Sequence, residues 1–219
     1  LESVERAAAL VTNYQLVSQM GPAAHKRGRI YEDQGRLTEA RHVYEQGVTA
    51  YQQFGNLRGQ SVLLGCLANI HRIQGRYDEA KTHYEAALRI HIDWGNPLSA
   101  AIVQGNMSNM LKELGELEEA HRLYMLSGET FKRLGRKQNE AISLGNRGEL
   151  LIRLGRIAEA KDVLTQSVQL CGQLNFKAEG AFLTYLARVE RLQGDMRSAG
   201  QSLQRGERLL RDSIQRYHL

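Results

Sequence analysis

The sequence predicts an all-α solenoid, because a short motif recurs along it at a nearly fixed interval. A glycine followed five residues later by an alanine occurs in Gln34–Ala40, Gln74–Ala80, Leu114–Ala120, Leu154–Ala160 and Gln193–Ala199. The first four copies lie 40 residues apart and the fifth 39 residues further on. Such a period is typical of repeat proteins whose units stack on their neighbours. Only two prolines occur in 219 residues, so long helices are not interrupted.

Repeat two shows the unit most clearly. Its first helix, helix A, is predicted over residues 61–74, where apolar residues recur at helical spacing. Gly75 ends this helix, as glycine commonly does just after a helix C-terminus. Helix B follows, with Asp78 in its first turn, where the helix dipole favours acids. It is predicted to run to about Trp94, before a Gly-Asn pair begins the next turn.

Small residues mark the place where helices A and B cross. A small side chain lets two helix backbones approach closely, and one helix-turn-helix cannot bury both of its faces alone. The small residues of helix B are Ala40, Ala80, Ala120, Ala160 and Ala199. Those of helix A are Gly28, Ala68, Ser108, Gly148 and Ala187.

The expected repeats cover residues 20–59, 60–99, 100–139, 140–179 and 180–219, the last with a polar C-terminal cap. Residues 1–19 fit the same frame, because Tyr14 lies 40 residues before Phe54. They are interpreted as helix B of a preceding half repeat, or as an unrelated capping helix. An uncapped N-terminal edge would expose apolar surface through which two copies could associate.

These residues resemble the tetratricopeptide repeat family over residues 21 to about 210. The family pattern is a small residue, a turn glycine, an alanine, an aromatic and another small residue, and repeat two has Ala68, Gly75, Ala80, Tyr84 and Ala87. Repeats four and five depart from it, with Leu164 and Leu203 in place of the aromatic. The 40-residue length is similar to the long-helix repeats of Pins/LGN adaptors and kinesin light chains. The resemblance implies a right-handed superhelix whose helices A line a concave groove.

Composition and motifs favour a non-catalytic cytoplasmic protein without cofactors. The net charge is +5, but the basic residues are spread over all repeats, so no nucleic-acid partner is expected. No apolar run approaches the ~20 residues that span a bilayer, so no membrane partner is expected. Cys66 and Cys171 fit no metal-binding spacing and are interpreted as reduced thiols. No phosphate loop, nucleophile elbow or zinc-protease motif occurs.

The resemblance places the candidate peptide-binding residues on helices A of repeats two to four. They are Val62, Gly65, Asn69, Arg72, Ile102, Gly105, Asn106, Asn109, Lys112, Ile142, Gly145, Asn146 and Arg153. Glycine inside a helix costs about 0.5–1 kcal/mol relative to alanine, so the three glycines indicate close approach of a partner backbone or tight helix packing. The asparagine amides offer a donor and an acceptor, which suits a peptide main chain, or they are solvated.

The groove positions also carry charged side chains. Basic side chains outnumber acidic ones there, which favours an acidic peptide. Cys66 is interpreted as a small wall residue. Arg27 and Arg147 stand where other repeats have Leu67, Met107 or Leu186, and they either pair within the protein or contact a ligand.

The leading functional hypothesis is a protein–protein interaction module that binds an extended peptide, as part of a larger signalling, scaffold or regulatory protein. One alternative is a ligand- or peptide-sensing domain of a transcription regulator. Another is a structural scaffold that forms homo-oligomers.

Overall fold

The computed structural model describes residues 19–215, and in this part of the chain all regular structure is helical. Its helices are α1 (19–33), α2 (Leu37–Gln53), α3 (Leu57–Ile73), α4 (Tyr77–Asp93), α5 (Pro97–Leu114), α6 (Leu117–Arg133), α7 (Lys137–Arg153), α8 (Ile157–Gln173), α9 (Glu179–Leu192) and α10 (Met196–Gln215). The prediction of an all-α repeat fold is confirmed. The half repeat expected in residues 1–19, and the edge it would leave open, lie outside the described residues, apart from Gln19.

Each helix pair is joined by a turn in which a glycine has positive φ. The glycines of the A-to-B turns are Gly35, Gly75, Gly115, Gly155 and Gly194, with φ of 71°, 73°, 84°, 73° and 83°. In this left-handed region a Cβ atom crowds the following carbonyl oxygen, so glycine is favoured. The backbone N–H of Arg76 donates to the carbonyl of His71 at 2.8 Å, as in a Schellman motif. The expected turn positions are therefore correct.

The turns from helix B to the next helix A follow the same rule with one exception. Gly55, Gly95 and Gly135 have φ of 62°, 59° and 64°, whereas the fourth turn places Asn175 at 48°. Asparagine is the side chain that visits this region most readily after glycine.

Helix α3 begins at Leu57 rather than near residue 61. Its start is fixed by Asn56, whose Oδ1 accepts a hydrogen bond from the backbone N–H of Gly59 at 2.9 Å. Asn96 and Asp195 cap α5 and α10 in the same way. An N-cap of this kind satisfies a backbone donor that the first helical turn leaves without a partner.

The small residues lie where helices A and B touch. Ala40, Ala80, Ala120 and Ala160 are fully buried. A Cβ atom added at Gly28 would lie 2.1 Å from Cε1 of Tyr44. The space above the glycine is thus filled by the aromatic ring, and the packing explanation for these residues is confirmed.

The described helices fall into two compact units, unit 1 ending at Val103 and unit 2 beginning at Gln104, with the boundary inside α5. In unit 1 the largest fully buried side chains are Tyr44, Leu63, Leu67, Ile70 and Tyr84. In unit 2 they are Met110, Tyr124, Leu150, Leu151, Leu164 and Val189. No helix of the described part is both long and apolar enough to cross a membrane.

Candidate functional site

Unit 1 displays five of the candidate residues, which we call the helix-A face of unit 1: Val62, Gly65, Asn69, Arg72 and Ile102. Val62 is 40% exposed and Ile102 is 41% exposed. Large apolar side chains at this level of exposure leave surface that a partner could cover.

Unit 2 displays the other eight, the helix-A face of unit 2. They are Gly105, Asn106, Asn109 and Lys112 on α5, and Ile142, Gly145, Asn146 and Arg153 on α7. Ile142 is 37% exposed, close to the exposure of its counterparts in unit 1. The apolar candidates therefore lie at the surface, as expected for binding residues.

The three candidate glycines have different surroundings. A Cβ atom built at Gly65 or Gly105 would meet no other atom within 4 Å. One built at Gly145 would lie 2.2 Å from Cε1 of Phe182, and Gly145 is buried. Tight packing thus accounts for Gly145, and the space beside it is not open to a partner. Packing does not account for Gly65 and Gly105.

Two of the four asparagines are bound to tyrosines of their own repeat. The hydroxyl of Tyr84 donates to Oδ1 of Asn69 at 2.5 Å, and that of Tyr124 donates to Oδ1 of Asn109, also at 2.5 Å. These amide oxygens are therefore occupied. The 40-residue register could have revealed the pairing, because each asparagine lies 15 residues before its tyrosine.

Asn106 and Asn146 differ from that pair. Their side chains are half-buried and make no hydrogen bond to the rest of the described chain. An amide that is held on a helix and keeps both its donor and its acceptor can bind a peptide group. These two amides share α5 and α7 with the exposed Ile142 and the open space at Gly105.

The predicted cations of unit 2 are engaged within the unit. Nζ of Lys112 donates to Oε2 of Glu149 at 2.5 Å, and Nη1 of Arg153 donates to the carbonyl oxygen of Lys112 at 2.8 Å. Lys112 and Glu149 are only 13% and 24% exposed, so solvent screens their pair weakly. In unit 1, the candidate cation Arg72 is half-buried.

Glu149 is one of the acidic groove positions of the sequence analysis, although it is not among the candidate peptide-binding residues. It stands in repeat four where repeat three has Asn109, and Leu164 replaces the tyrosine there, so no hydroxyl requires an amide at this position. Burial, followed by the charge of Glu149, raises the pKa of the adjacent Tyr185. Glu149 thus links α5, α7 and α9 on one face.

The cysteines have the properties of structural thiols. Burial raises the pKa of Cys66 and of Cys171 to about 11, so both stay protonated near neutral pH. A protonated thiol is a poor nucleophile and a poor metal ligand. Among the described residues, no three His, Cys, Asp or Glu side chains are grouped to hold a metal ion.

Sequence profiles described as tetratricopeptide repeat match three stretches of the chain. One profile matches residues 59–127, and a second matches residues 22–54 and again residues 141–173. Comparison with curated protein sequences gave no match.

Several solved structures have a similar fold at low sequence identity. One is a Podosopora anserina kinesin light chain-like protein with nearly identical TPR-like repeats. It shares 19% identity with this chain, with a TM-score of 0.72, over 89% of this chain and 96% of that one. The apo form of RapI shares 15%, with a TM-score of 0.81, over 89% of this chain and 72% of that one. A Rap protein complexed with Competence and Sporulation Factor shares 15%, with a TM-score of 0.75, over 87% of this chain and 54% of that one. At these identities the likeness shows the fold alone.

Proposed function

Because the chain belongs to the tetratricopeptide repeat family, whose fold generally serves as a non-catalytic interaction module, we propose that it binds an extended peptide segment of a protein partner. The observation that carries this proposal is the arrangement in unit 2. Two amides without partners in the described chain, Asn106 and Asn146, lie on α5 and α7 together with the exposed Ile142 and the open space at Gly105, and the Lys112–Glu149 hydrogen bond joins these two helices.

In this proposal each kind of side chain has one role. The amides of Asn106 and Asn146 hydrogen-bond the main chain of the peptide. Asn69 and Asn109 offer their NH₂ groups and the second lone pair of each oxygen, since each oxygen already accepts one hydrogen bond from a tyrosine. Apolar peptide side chains contact Ile142 in unit 2. Unit 1, taken by itself, offers the same kind of contact at Val62 and Ile102. Gly65 and Gly105 leave room for the peptide backbone.

The charged residues refine the chemistry of the partner. Arg72, Lys112 and Arg153 meet acidic peptide side chains in this proposal. The preference for acids is smaller than the sequence alone indicates, because Glu149 already neutralises Lys112. A peptide carboxylate would have to share Lys112 with Glu149 or bind the guanidinium N–H groups of Arg153 that Lys112 does not use.

A peptide-sensing role is the second candidate. It is supported by the similarity to a Rap protein that was solved in complex with Competence and Sporulation Factor. The two candidates differ in the occupant, which is a segment of a larger protein in the first and a free signalling peptide in the second. We also propose that the chain is part of a larger signalling, scaffold or regulatory protein that works in the cytoplasm.

The test is a titration of the partner captured by the chain against the double variant Asn106→Ala/Asn146→Ala. Each neutral hydrogen bond contributes about 0.5–1.5 kcal/mol, so losing two should weaken binding by roughly 1–3 kcal/mol, or about 5- to 150-fold. The fold should survive, because alanine is the better helix former.

The matched control is Gln169→Ala/Gln201→Ala, which removes two exposed amides from helices B of the same unit. It should bind as the wild type does. Unchanged affinity in a folded Asn106→Ala/Asn146→Ala protein would place the site elsewhere.

A further inference from the structure

A pocket opens in unit 2, and none of its lining residues belongs to the helix-A face. It lies between α6 and α7, with one residue of α8 in its lining, and has a cavity volume of about 170 Å³. Its lining includes Gly128, Ser143 and Arg147 in the interior, with Glu129, Lys132 and Glu140 around them.

Three substitutions within the repeat pattern create this pocket. Gly128 stands where other repeats have Val48, Leu88 and Val168. Ser143 stands where they have Leu63, Val103 and Phe182, and Arg147 where they have Leu67, Met107 and Leu186. Among the boundaries between a helix B and the next helix A that contain these residues, only the one between α6 and α7 has small or polar residues in place of apolar side chains. The cavity is therefore specified by the sequence.

Among the described residues, no carboxylate forms an ion pair with the cation Arg147. Its Nε is buried and has no hydrogen-bond partner in the part of the chain that the structure describes. Burial lowers the pKa of Arg147, and the charge of Glu159 acts in the opposite direction. Glu159, however, is held by Arg156, whose Nε donates to its Oε1 at 2.6 Å. A guanidinium remains charged in proteins, and a half-buried one gains much from a carboxylate ligand.

The other charges around the pocket limit the ligand further. Arg147 and Lys132 are balanced by Glu129 and Glu140, so the lining has no net charge. A multiply charged anion such as a phosphate ester would be repelled by the two glutamates. A small ligand with one carboxylate and one ammonium group suits both signs.

We propose that this pocket binds a small zwitterion of the amino-acid class, with its carboxylate on Arg147 and its ammonium group near Glu129 and Glu140. Ser143 cannot offer its hydroxyl hydrogen freely, since that hydroxyl donates to the carbonyl of Tyr124 at 3.0 Å. The site is independent of the helix-A face, so its test does not depend on the peptide-binding proposal.

The experiment is an NMR titration of the whole chain that follows the Nε–Hε signal of Arg147. The probes are glycine, L-alanine and L-leucine, with acetate as a carboxylate alone and methylammonium as a cation alone. At least one amino acid should give a saturable shift. The affinity for acetate and for methylammonium should be lower by a factor of about ten or more, because each leaves one side of the pocket without a partner.

Two variants test the site in different ways. Arg147→Leu introduces the side chain that Leu67 has at the equivalent position, and it removes the charge. Gly128→Val introduces the side chain that Val48 has at the equivalent position, which fills the space and keeps the charge of Arg147. A Cβ atom at Gly128 lies 3.2 Å from Oγ of Ser143, so a thermal melt must first show that this variant is folded.

For these variants the amino-acid-induced shifts of neighbouring backbone amides should be lost. They should persist in Arg27→Leu, which removes an exposed arginine at the same register position of repeat one. Absence of a saturable shift in the wild type would overturn the proposal. So would acetate binding as tight as the amino acids, or unchanged binding in folded Gly128→Val.

Discussion

Gly65, Gly105 and Gly145 occupy one position of the repeat, yet their surroundings differ. The first two face open space, and the third lies under the ring of Phe182. A helix-interior glycine with no steric reason lowers stability relative to alanine, because glycine loses more backbone entropy on folding. Keeping it at Gly65 and Gly105 is consistent with a need for space at the surface.

Substitution by alanine should separate these glycines. Gly65→Ala and Gly105→Ala should each stabilise the fold by about 0.5–1 kcal/mol. Gly145→Ala should destabilise it by about 1–3 kcal/mol, because the new methyl group forces Phe182 to move. Urea denaturation of the three variants measures this. If Gly145→Ala were as stable as Gly105→Ala, the contact with Phe182 would not be the reason for the glycine.

The same variants bear on the function. If a peptide backbone passes over Gly105, then Gly105→Ala should bind the partner less tightly although its fold is more stable. An affinity equal to that of the wild type would mean that this space is not used.

At the scale of the helices, one hydrogen bond connects helix A to helix B in two successive repeats. Tyr84 and Tyr124 are at most 1% exposed, and each hydroxyl donates a hydrogen bond to an asparagine of the preceding helix. A buried hydroxyl without a partner would cost about 1–3 kcal/mol. Asn69 and Asn109 therefore have a structural role, which any peptide-binding role would have to accommodate.

A double-mutant cycle on Tyr124 and Asn109 measures this link. Tyr124→Phe and Asn109→Ala should each destabilise unit 2, and the double variant should lose less than the sum by about 0.5–1.5 kcal/mol, the net contribution of the bond. Asn106→Ala combined with Tyr124→Phe is the control and should be additive. A coupling free energy near zero in the first cycle would show that the bond contributes nothing to stability.

At the scale of the whole molecule, buried histidines make stability depend on pH. His71, His91 and His121 are only 4%, 5% and 8% exposed, and burial lowers the pKa of each. The unfolded chain therefore binds protons at a higher pH than the folded chain does. Stability is complete above the ordinary histidine pKa of about 6.5 and is lost as the pH falls below it.

Unfolding should thus become easier between pH 7.5 and pH 5.5, with a slope of up to about 1.4 kcal/mol per pH unit for each proton taken up. His71 is the residue to change, since Leu111 and Leu151 occupy its position in other repeats. Urea midpoints of His71→Leu at several pH values should show a flatter dependence than the wild type. A dependence as steep as that of the wild type would exclude His71 as a contributor.

Much of the fold could be predicted from the sequence, because the features that define it repeat. A turn glycine such as Gly75 is required by positive φ, and a crossing residue such as Ala80 by helix contact, so a 40-residue register reveals both. The site was less predictable. The burial of Gly145 depends on Phe182, and the pairing of Lys112 depends on Glu149, and both partners belong to a neighbouring repeat. A register identifies equivalent positions but not the side chains that meet between repeats.

The pocket at Gly128, Ser143 and Arg147 also has a consequence for cooperativity. Repeats in an array are coupled mainly through the apolar surface that neighbours bury against each other. Where α6 meets α7, a glycine, a serine and an arginine replace the apolar residues found at the other boundaries, so we expect this coupling to be weaker. Unit 2 should then open between α6 and α7 before the helix pairs on either side unfold. A ligand that fills the pocket would join those two parts into one cooperative block.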